Sequence, residues 1–149
     1  MDDLERVLRT HPVLDGMSAD HVRVLVGCTK TVRYRAGEFL VREGDHECEL
    51  FLLRQGVVTI EVGRTGVGET VLETLGAGDV LGVSLMIASP AHLDCRARET
   101  VVAFSLDHVC LRAKMQADPA LGFDLTARLL ERTYERLARA RMQNVDMFR

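Results

Sequence analysis

Nine of the twelve glycines in this 149-residue chain fall between Gly37 and Gly82. Several are followed directly by an acid: Gly37-Glu38, Gly44-Asp45, Gly68-Glu69 and Gly78-Asp79. The runs between them are short and rich in Val, Ile, Leu and Thr. Such runs are too brief for helices and have the composition of strands closed by tight turns. The segment Thr31–Asp45 predicts two short strands around Ala36-Gly37. Glu49–Val62 predicts a hairpin about Arg54-Gln55-Gly56. Gly63–Glu69 is a glycine-rich tip, and Gly76-Ala77-Gly78-Asp79 is a further turn. A β-rich run from Arg96 to Leu106 follows. Short strands at this spacing give an antiparallel β-roll or jelly roll, with another antiparallel barrel as the alternative from pattern alone.

Helices flank the roll. One is expected from Asp3 to Arg9, ended by His11-Pro12 because the residue before proline avoids helical angles. A second follows Ser18 as N-cap, with Asp20 in its first turn and Val22, Leu25 and Val26 on one face. After a short helix at His108–Gln116, Asp118-Pro119 is a start signal, an N-cap acid followed by proline at the first helical position. The pattern then continues to about Asn144, a helix of ~25 residues and roughly 38 Å. The fold class is therefore α+β: one domain over residues 1–149, with a roll over about 30–107 and a long C-terminal helix over about 119–144.

That helix is longer than the core of one such domain requires. Leu130, Leu137 and Asn144 recur every seven residues, with Thr126, Thr133, Ala140 and Met147 as companions. Leucine on one row and small residues on the other suit close approach of a second helix. A homodimer is expected, with Leu130, Thr133, Leu137, Ala140 and Asn144 as interface candidates; the alternative is that this face packs on the chain's own roll. Arg128, Arg132, Arg136, Arg139 and Arg141 form a basic row interleaved with Glu131 and Glu135, which predicts a solvated, ion-paired face.

A net charge of −3 and a pI near 5.9 disfavour non-specific nucleic-acid binding, which needs an excess of Lys and Arg. No apolar run approaches the ~20 residues of a membrane span. The acidic start MDDLERVLRT lacks the basic and apolar regions of a signal peptide, so a cytoplasmic location is expected. In that compartment Cys28, Cys48, Cys95 and Cys110 are expected as buried free thiols. His46, Cys48, His108 and Cys110 are a weaker set for a metal, because their spacing is not that of a known site, and no metal or other cofactor is predicted.

Several motifs in order resemble the cyclic-nucleotide-binding domain of the catabolite-activator and kinase-regulatory-subunit type. His11–Ser18 is similar to the family's opening P-(L/F)-F-x-x-L-S. Gly37-Glu38-Phe39-Leu40 followed by Glu43-Gly44-Asp45 is similar to its most recognisable signature. Leu50–Leu53 with Gly56 and Val58 resembles L-Y-F-I-L-x-G-x-V, and Gly78–Gly82 resembles G-D-x-F-G. The resemblance spans about Asp3 to Arg141. It implies a ligand pocket at a short helix after Gly82, where backbone N–H groups face a cyclic phosphate. The pocket candidates are Gly82, Val83, Ser84, Leu85, His92, Leu93 and Asp94.

The sequence departs from the family at the ligand's anchors. The residue after Gly82 is Val83, where the family's glutamate takes the ribose 2′-hydroxyl. Setting Cys95-Arg96-Ala97 on the closing V-R-A places Ala91 where the phosphate arginine belongs, His92 at the Ser/Thr position, and Asp94 near the phosphate with the wrong sign. Each charge-assisted hydrogen bond contributes about 1.5–3 kcal/mol. Losing both anchors weakens binding by roughly two to four powers of ten. Tight binding of cyclic AMP or cyclic GMP is not expected, and Val83, Leu85, Met86, Ile87 and Leu93 predict a more apolar cavity.

DNA-binding members of the family continue into a helix-turn-helix. This chain stops at Arg149, about where that module begins, so direct DNA binding is not expected. No nucleophile elbow, HExxH, P-loop or carboxylate pair points to an enzyme. The leading expectation is a regulatory or sensory module. One alternative is an accessory subunit of a multisubunit redox enzyme of the hydrogenase kind, docking through Val145–Phe148 within a larger complex or binding a nicotinamide nucleotide. Another is a true cyclic-nucleotide sensor with an atypical pocket.

Overall fold

The computed structural model describes residues 3–46, 49–64, 68–87 and 89–147. The chain opens with α1 (Asp3–Leu8), a 3-10 turn (Pro12–Leu14) and α2 (Ala19–Val26). Ser18 caps α2 by accepting from the His21 N–H, as its position before the first apolar residue predicts. Eight strands follow: β1 (Thr29–Tyr34), β2 (Phe39–Val41), β3 (Leu50–Gln55), β4 (Val58–Arg64), β5 (Gly68–Leu75), β6 (Val80–Leu81), β7 (Asp94–Ala97) and β8 (Val101–Leu106). A 3-10 turn (Val83–Ile87) lies between β6 and β7. Helices α3 (His108–Ala117) and α4 (Pro119–Met147) end the chain.

The strands form two antiparallel four-stranded sheets, in the orders β1-β8-β3-β6 and β2-β7-β4-β5. This is the expected α+β roll with N-terminal helices and a long C-terminal helix. The expected hairpin at Gln55-Gly56 is not one. β3 pairs with β8 and β6, whereas β4 pairs with β5 and β7. The chain changes sheet at this corner, where Gly56 has φ +96° and an added Cβ would lie 2.3 Å from the Thr100 carbonyl oxygen. The corner closes only around a residue without a side chain.

Burial explains why β3 and β8 read as unbroken apolar runs. Leu50, Leu52, Phe104 and Leu106 face the helices, where they pack with Leu8, Leu25, Leu111, Leu121 and Leu125. Their neighbours Phe51, Leu53, Val101 and Ala103 face the second sheet, against Val58, Ile60, Leu75 and Ala97. Successive residues on a strand point to opposite faces, and here both faces are covered.

Two cysteines depart from the expectation of free thiols. Cys28, just after α2, and Cys110, in the first turn of α3, form a disulfide. The pairing spans 82 residues of chain, which is why no local spacing signalled it. It also removes Cys110 from the metal set considered above. Cys48 lies outside the described residues, and among those described no group of three or more His, Cys, Asp or Glu side chains is arranged to hold a metal.

His11 is a buried polar group at the junction of helices and roll. Its Nε2–H donates to the Leu53 carbonyl at 3.0 Å, and its Nδ1 accepts from the Val13 N–H at 3.2 Å. These bonds require the neutral ring. Burial is the largest cause that drives its pKa from the ordinary 6.5 down to about 4; Arg132 pushes the same way, while the Leu53 carbonyl and Asp79 oppose. The folded ring therefore binds a proton less readily than the unfolded one. Stability is full above pH 6.5, falls as pH drops from 6.5 to about 4, and is level below that. The whole window costs about 3 kcal/mol at 1.36 kcal/mol per unit. Urea unfolding at pH 7 and pH 4.5 is expected to show about 2 kcal/mol more acid loss in the natural chain than in His11→Gln. Equal losses in the two proteins would remove His11 as the cause.

Candidate functional site

A cavity of about 120 Å³ opens at the end of the roll where β6 leads into the Val83–Ile87 turn. Val41, Ile60, Leu81, Val83, Ala91 and Leu93 give it an aliphatic wall, and Ser84, Cys95 and Arg136 supply its polar atoms. Gly82 and His92 complete the lining, with His92 exposed at the rim.

Five of the seven pocket candidates thus meet in one cavity: Gly82, Val83, Ser84, His92 and Leu93. Leu85 does not join them. Its side chain is buried in the core beneath the helices, and its carbonyl is held by Arg112 at 3.0 Å. A turn of 3-10 helix sends every third side chain the same way, so a one-residue step carries Leu85 away from Ser84. Asp94 does not join them either. On β7 the inward residues are Cys95 and Ala97, so alternation turns Asp94 and Arg96 to the outer face of the sheet. There Asp94 accepts from the Glu43 N–H at 2.7 Å and faces Arg42. It therefore places no negative charge in the cavity.

The same outer face carries a buried carboxylate. Glu61 is held by both Nε and Nη2 of Arg96, at 2.9 and 2.6 Å, and by Arg98 at 2.6 Å. Arg96 is thus committed to Glu61 and does not line the cavity.

The basic side chain that reaches the cavity comes from α4. Arg136 donates from Nε and Nη2 to Glu73 on β5, at 2.8 and 3.2 Å, and from Nη1 to the Val80 carbonyl at 3.0 Å. Arg139 reaches Asp79 at 3.3 Å. Arg128 binds Asp124 on its own helix and the Val13 and Asp15 carbonyls. The arginine row is therefore not the solvated face its interleaved glutamates predict. Three of its members cross to the roll and to the turn after α1. Among the described residues, Arg132–Glu135 and Arg128–Asp124 are the pairs of this row that lie along the helix, and only the first uses an interleaved glutamate as expected.

The Val83–Ile87 turn is five residues long. The Leu85 N–H is already bonded to the Gly82 carbonyl at 3.2 Å. Ala91 pairs by its backbone with the turn after β2: its N–H donates to Asp45 O at 2.9 Å, and its carbonyl accepts from Gly44 N–H at 2.7 Å.

On α4, Leu121, Leu125 and Leu129 are buried in the helical core. Phe123, Leu130 and Leu137, seven residues apart, are 78%, 68% and 45% exposed, and Tyr134 is exposed beside them. The face with Leu130 and Leu137 is thus not packed on the chain's own roll. Thr133 and Ala140 are half-buried; the Asn144 side chain lies outside what the structure describes. Of the expected docking tail Val145–Phe148, Val145 is exposed near the end of α4 and Phe148 lies outside the described residues. No described helix is long and apolar enough to cross a membrane.

Comparison with solved structures bears on the fold. A cyclic nucleotide-binding domain from Methylobacillus flagellatus KT superposes with a TM-score of 0.80 at 21% identity, covering 97% of this chain and 82% of that one. The regulatory domain of Toxoplasma gondii PKA, solved with cAMP, gives 0.70 at 18% identity over 89% of this chain and 49% of that one. The regulatory subunit of a cAMP-independent protein kinase A from Trypanosoma brucei gives 0.61 at 22% identity over 74% and 45%. No curated protein matches the chain. Residues 31–118, more than half the chain, match the family described as the cyclic nucleotide-binding domain, and they contain every strand from β2 to β8 and every cavity-lining residue except Arg136. The chain belongs to the cyclic nucleotide-binding domain family.

Proposed function

We propose that this chain is a non-enzymatic regulatory module, cytoplasmic and dimeric through α4, whose pocket does not hold cyclic AMP or cyclic GMP tightly. The observation that carries this reading is the lining of the cavity. Val83 and Ala91 face it where a ribose-binding glutamate and a phosphate-binding arginine would be needed, and the arginine that does reach it is engaged by Glu73. A volume of about 120 Å³ is also below the roughly 300–1,000 Å³ typical of a site that encloses a drug-sized ligand. The fold leaves the matter open, since it is shared by a domain solved with cAMP and by a subunit named as cAMP-independent. The reading rests on the lining residues.

Calorimetry is expected to show no cyclic AMP or cyclic GMP binding tighter than about 100 μM, two decades short of the micromolar affinity that intact anchors support. Micromolar affinity for either nucleotide would sink the reading.

Dimerisation is supported by the exposed row Phe123, Leu130 and Leu137. A bare row of this kind on a helix matches the seam of a two-stranded coiled coil. Burying a leucine contributes about 1.5–3 kcal/mol. The double substitution Leu130→Glu with Leu137→Glu is expected to raise the dimer dissociation constant at least about 100-fold. Native mass spectrometry would show this as monomer at micromolar protein. A natural chain that is already monomeric would refute the dimer, and co-purification with larger subunits would replace this reading by that of an accessory subunit.

A further inference from the structure

We propose that Arg136 is the anchor of the cavity and that its ligand is a small carboxylate with a compact apolar body, taken up by exchange with Glu73. The inference takes from the preceding section only that this cavity is the ligand site; the dimer plays no part in it.

Among the described residues, Arg136 is the one fixed cation in the cavity lining, set into a wall that is mostly aliphatic. A guanidinium has five N–H donors. The bonds to Glu73 and to Val80 O use three of them and leave two. The carboxylate of Glu73 sits on the Nε–Nη2 edge, the side of the fork that takes planar anions in bidentate fashion. The protein thus already holds a carboxylate on the guanidinium that reaches the cavity wall. Glu73 lies on β5, the edge strand of its sheet, with its side chain 20% exposed.

Charge selects among anions. Glu73 neutralises Arg136, so a second, added anion meets no net positive charge. An anion that replaces Glu73 keeps the balance at the guanidinium, provided that it carries one charge. A phosphate monoester brings nearly two, and the short turn at Val83–Ile87 does not compensate, since its Leu85 N–H is already spent. Size selects the body. An apolar cavity of ~150 Å³ accommodates benzene, so about 120 Å³ limits the body to no more than one ring or a short branched chain. Val41, Ile60, Leu81 and Leu93 offer that body only apolar contacts.

The test uses the full chain with benzoate, its neutral isostere benzamide, and cyclic AMP, read by calorimetry or by ligand-observed magnetic resonance. Benzoate is expected to bind in the millimolar range and benzamide at least tenfold more weakly. Glu73→Gln removes the competing carboxylate and is expected to tighten benzoate about tenfold. Arg136→Gln is expected to abolish binding, and Arg136→Lys, which keeps the charge but not the fork, to weaken it about tenfold. Opposite signs for the two halves of one ion pair are the diagnostic. An ion pair that merely holds α4 in place would make both variants weaken binding alike, and that result overturns the proposal. If Arg136→Gln fails to fold, Glu73→Gln and Arg136→Lys carry the same contrast. No benzoate binding in either the natural chain or Glu73→Gln also overturns it, while leaving the absence of cyclic-nucleotide binding intact. Micromolar cyclic AMP binding that survives Arg136→Gln overturns the preceding section instead.

Discussion

Reduction of the Cys28–Cys110 disulfide is expected to lower the stability of the chain by about 4 kcal/mol. The bond closes a span of 82 residues, nearly the whole roll. In the chain-entropy account, a loop of that size restricts the unfolded state by about 4.5 kcal/mol, and native disulfides removed from small domains typically cost about 2–5. The staple ties the end of α2 to the start of α3, the helix against which α4 packs. Urea unfolding with and without a reductant would measure the effect, with thiols counted by alkylation. A Cys28→Ser, Cys110→Ser double variant is expected to match the reduced protein and to ignore reductant. An unchanged midpoint in fully reduced protein would refute the expectation. A cytoplasm holds most thiols reduced, so in the compartment proposed above the chain would work nearer its stability threshold than the oxidised structure suggests.

Gly82→Ala is expected to cost about 2–5 kcal/mol. Gly82 ends β6 with φ +87°, and a Cβ built there lies 2.1 Å from the Glu49 carbonyl oxygen. The left-handed angle alone costs a residue with a side chain about 1–2 kcal/mol. The overlap adds a backbone shift, of the order of 1–3 kcal/mol in packed sites. Gly37→Ala separates the two contributions: its φ is +92°, but nothing lies within 4 Å of the added Cβ. It is expected to lose only the first amount. Similar losses for the two variants in denaturant unfolding would show that the contact with Glu49 is relieved at no cost.

The parts of the fold that could be read from the residues are those with local causes. The turn glycines Gly37, Gly44, Gly56, Gly78 and Gly82 all adopt positive φ, and the Asp118-Pro119 start signal opens α4 at Pro119. The sheet change at Gly56 was not readable, because a hairpin and a corner use the same turn chemistry and differ only in which strands they join. Of the pocket, Gly82–Ser84 and His92–Leu93 were legible only through the resemblance to the family's motifs. Asp94 was misplaced although strand alternation with Cys95 carried the needed signal. Arg136 gave none: it approaches from a helix 54 residues beyond Gly82, and its neighbours in sequence are an ordinary amphipathic pattern. The disulfide and the reach of Arg128, Arg136 and Arg139 across to the roll belong to the same class of long-range fact.

Helix α4 is held by two unlike forces along its length. Up to Leu129 it is seated by buried leucines; beyond that its links to the roll are the contacts of Arg136 and Arg139 with Glu73, Val80 and Asp79. Apolar seating carries no charge to screen, and the mostly buried Arg136–Glu73 pair is screened little, whereas the more exposed Arg139–Asp79 pair weakens as the Debye length shrinks. Ionic strength thereby becomes a control on the end of the helix beyond Arg136, leaving the inner half in place. Amide exchange would be slow up to about Leu129 and would quicken beyond it, so the segment that bears Leu137 is the part of the molecule most easily lifted from the roll.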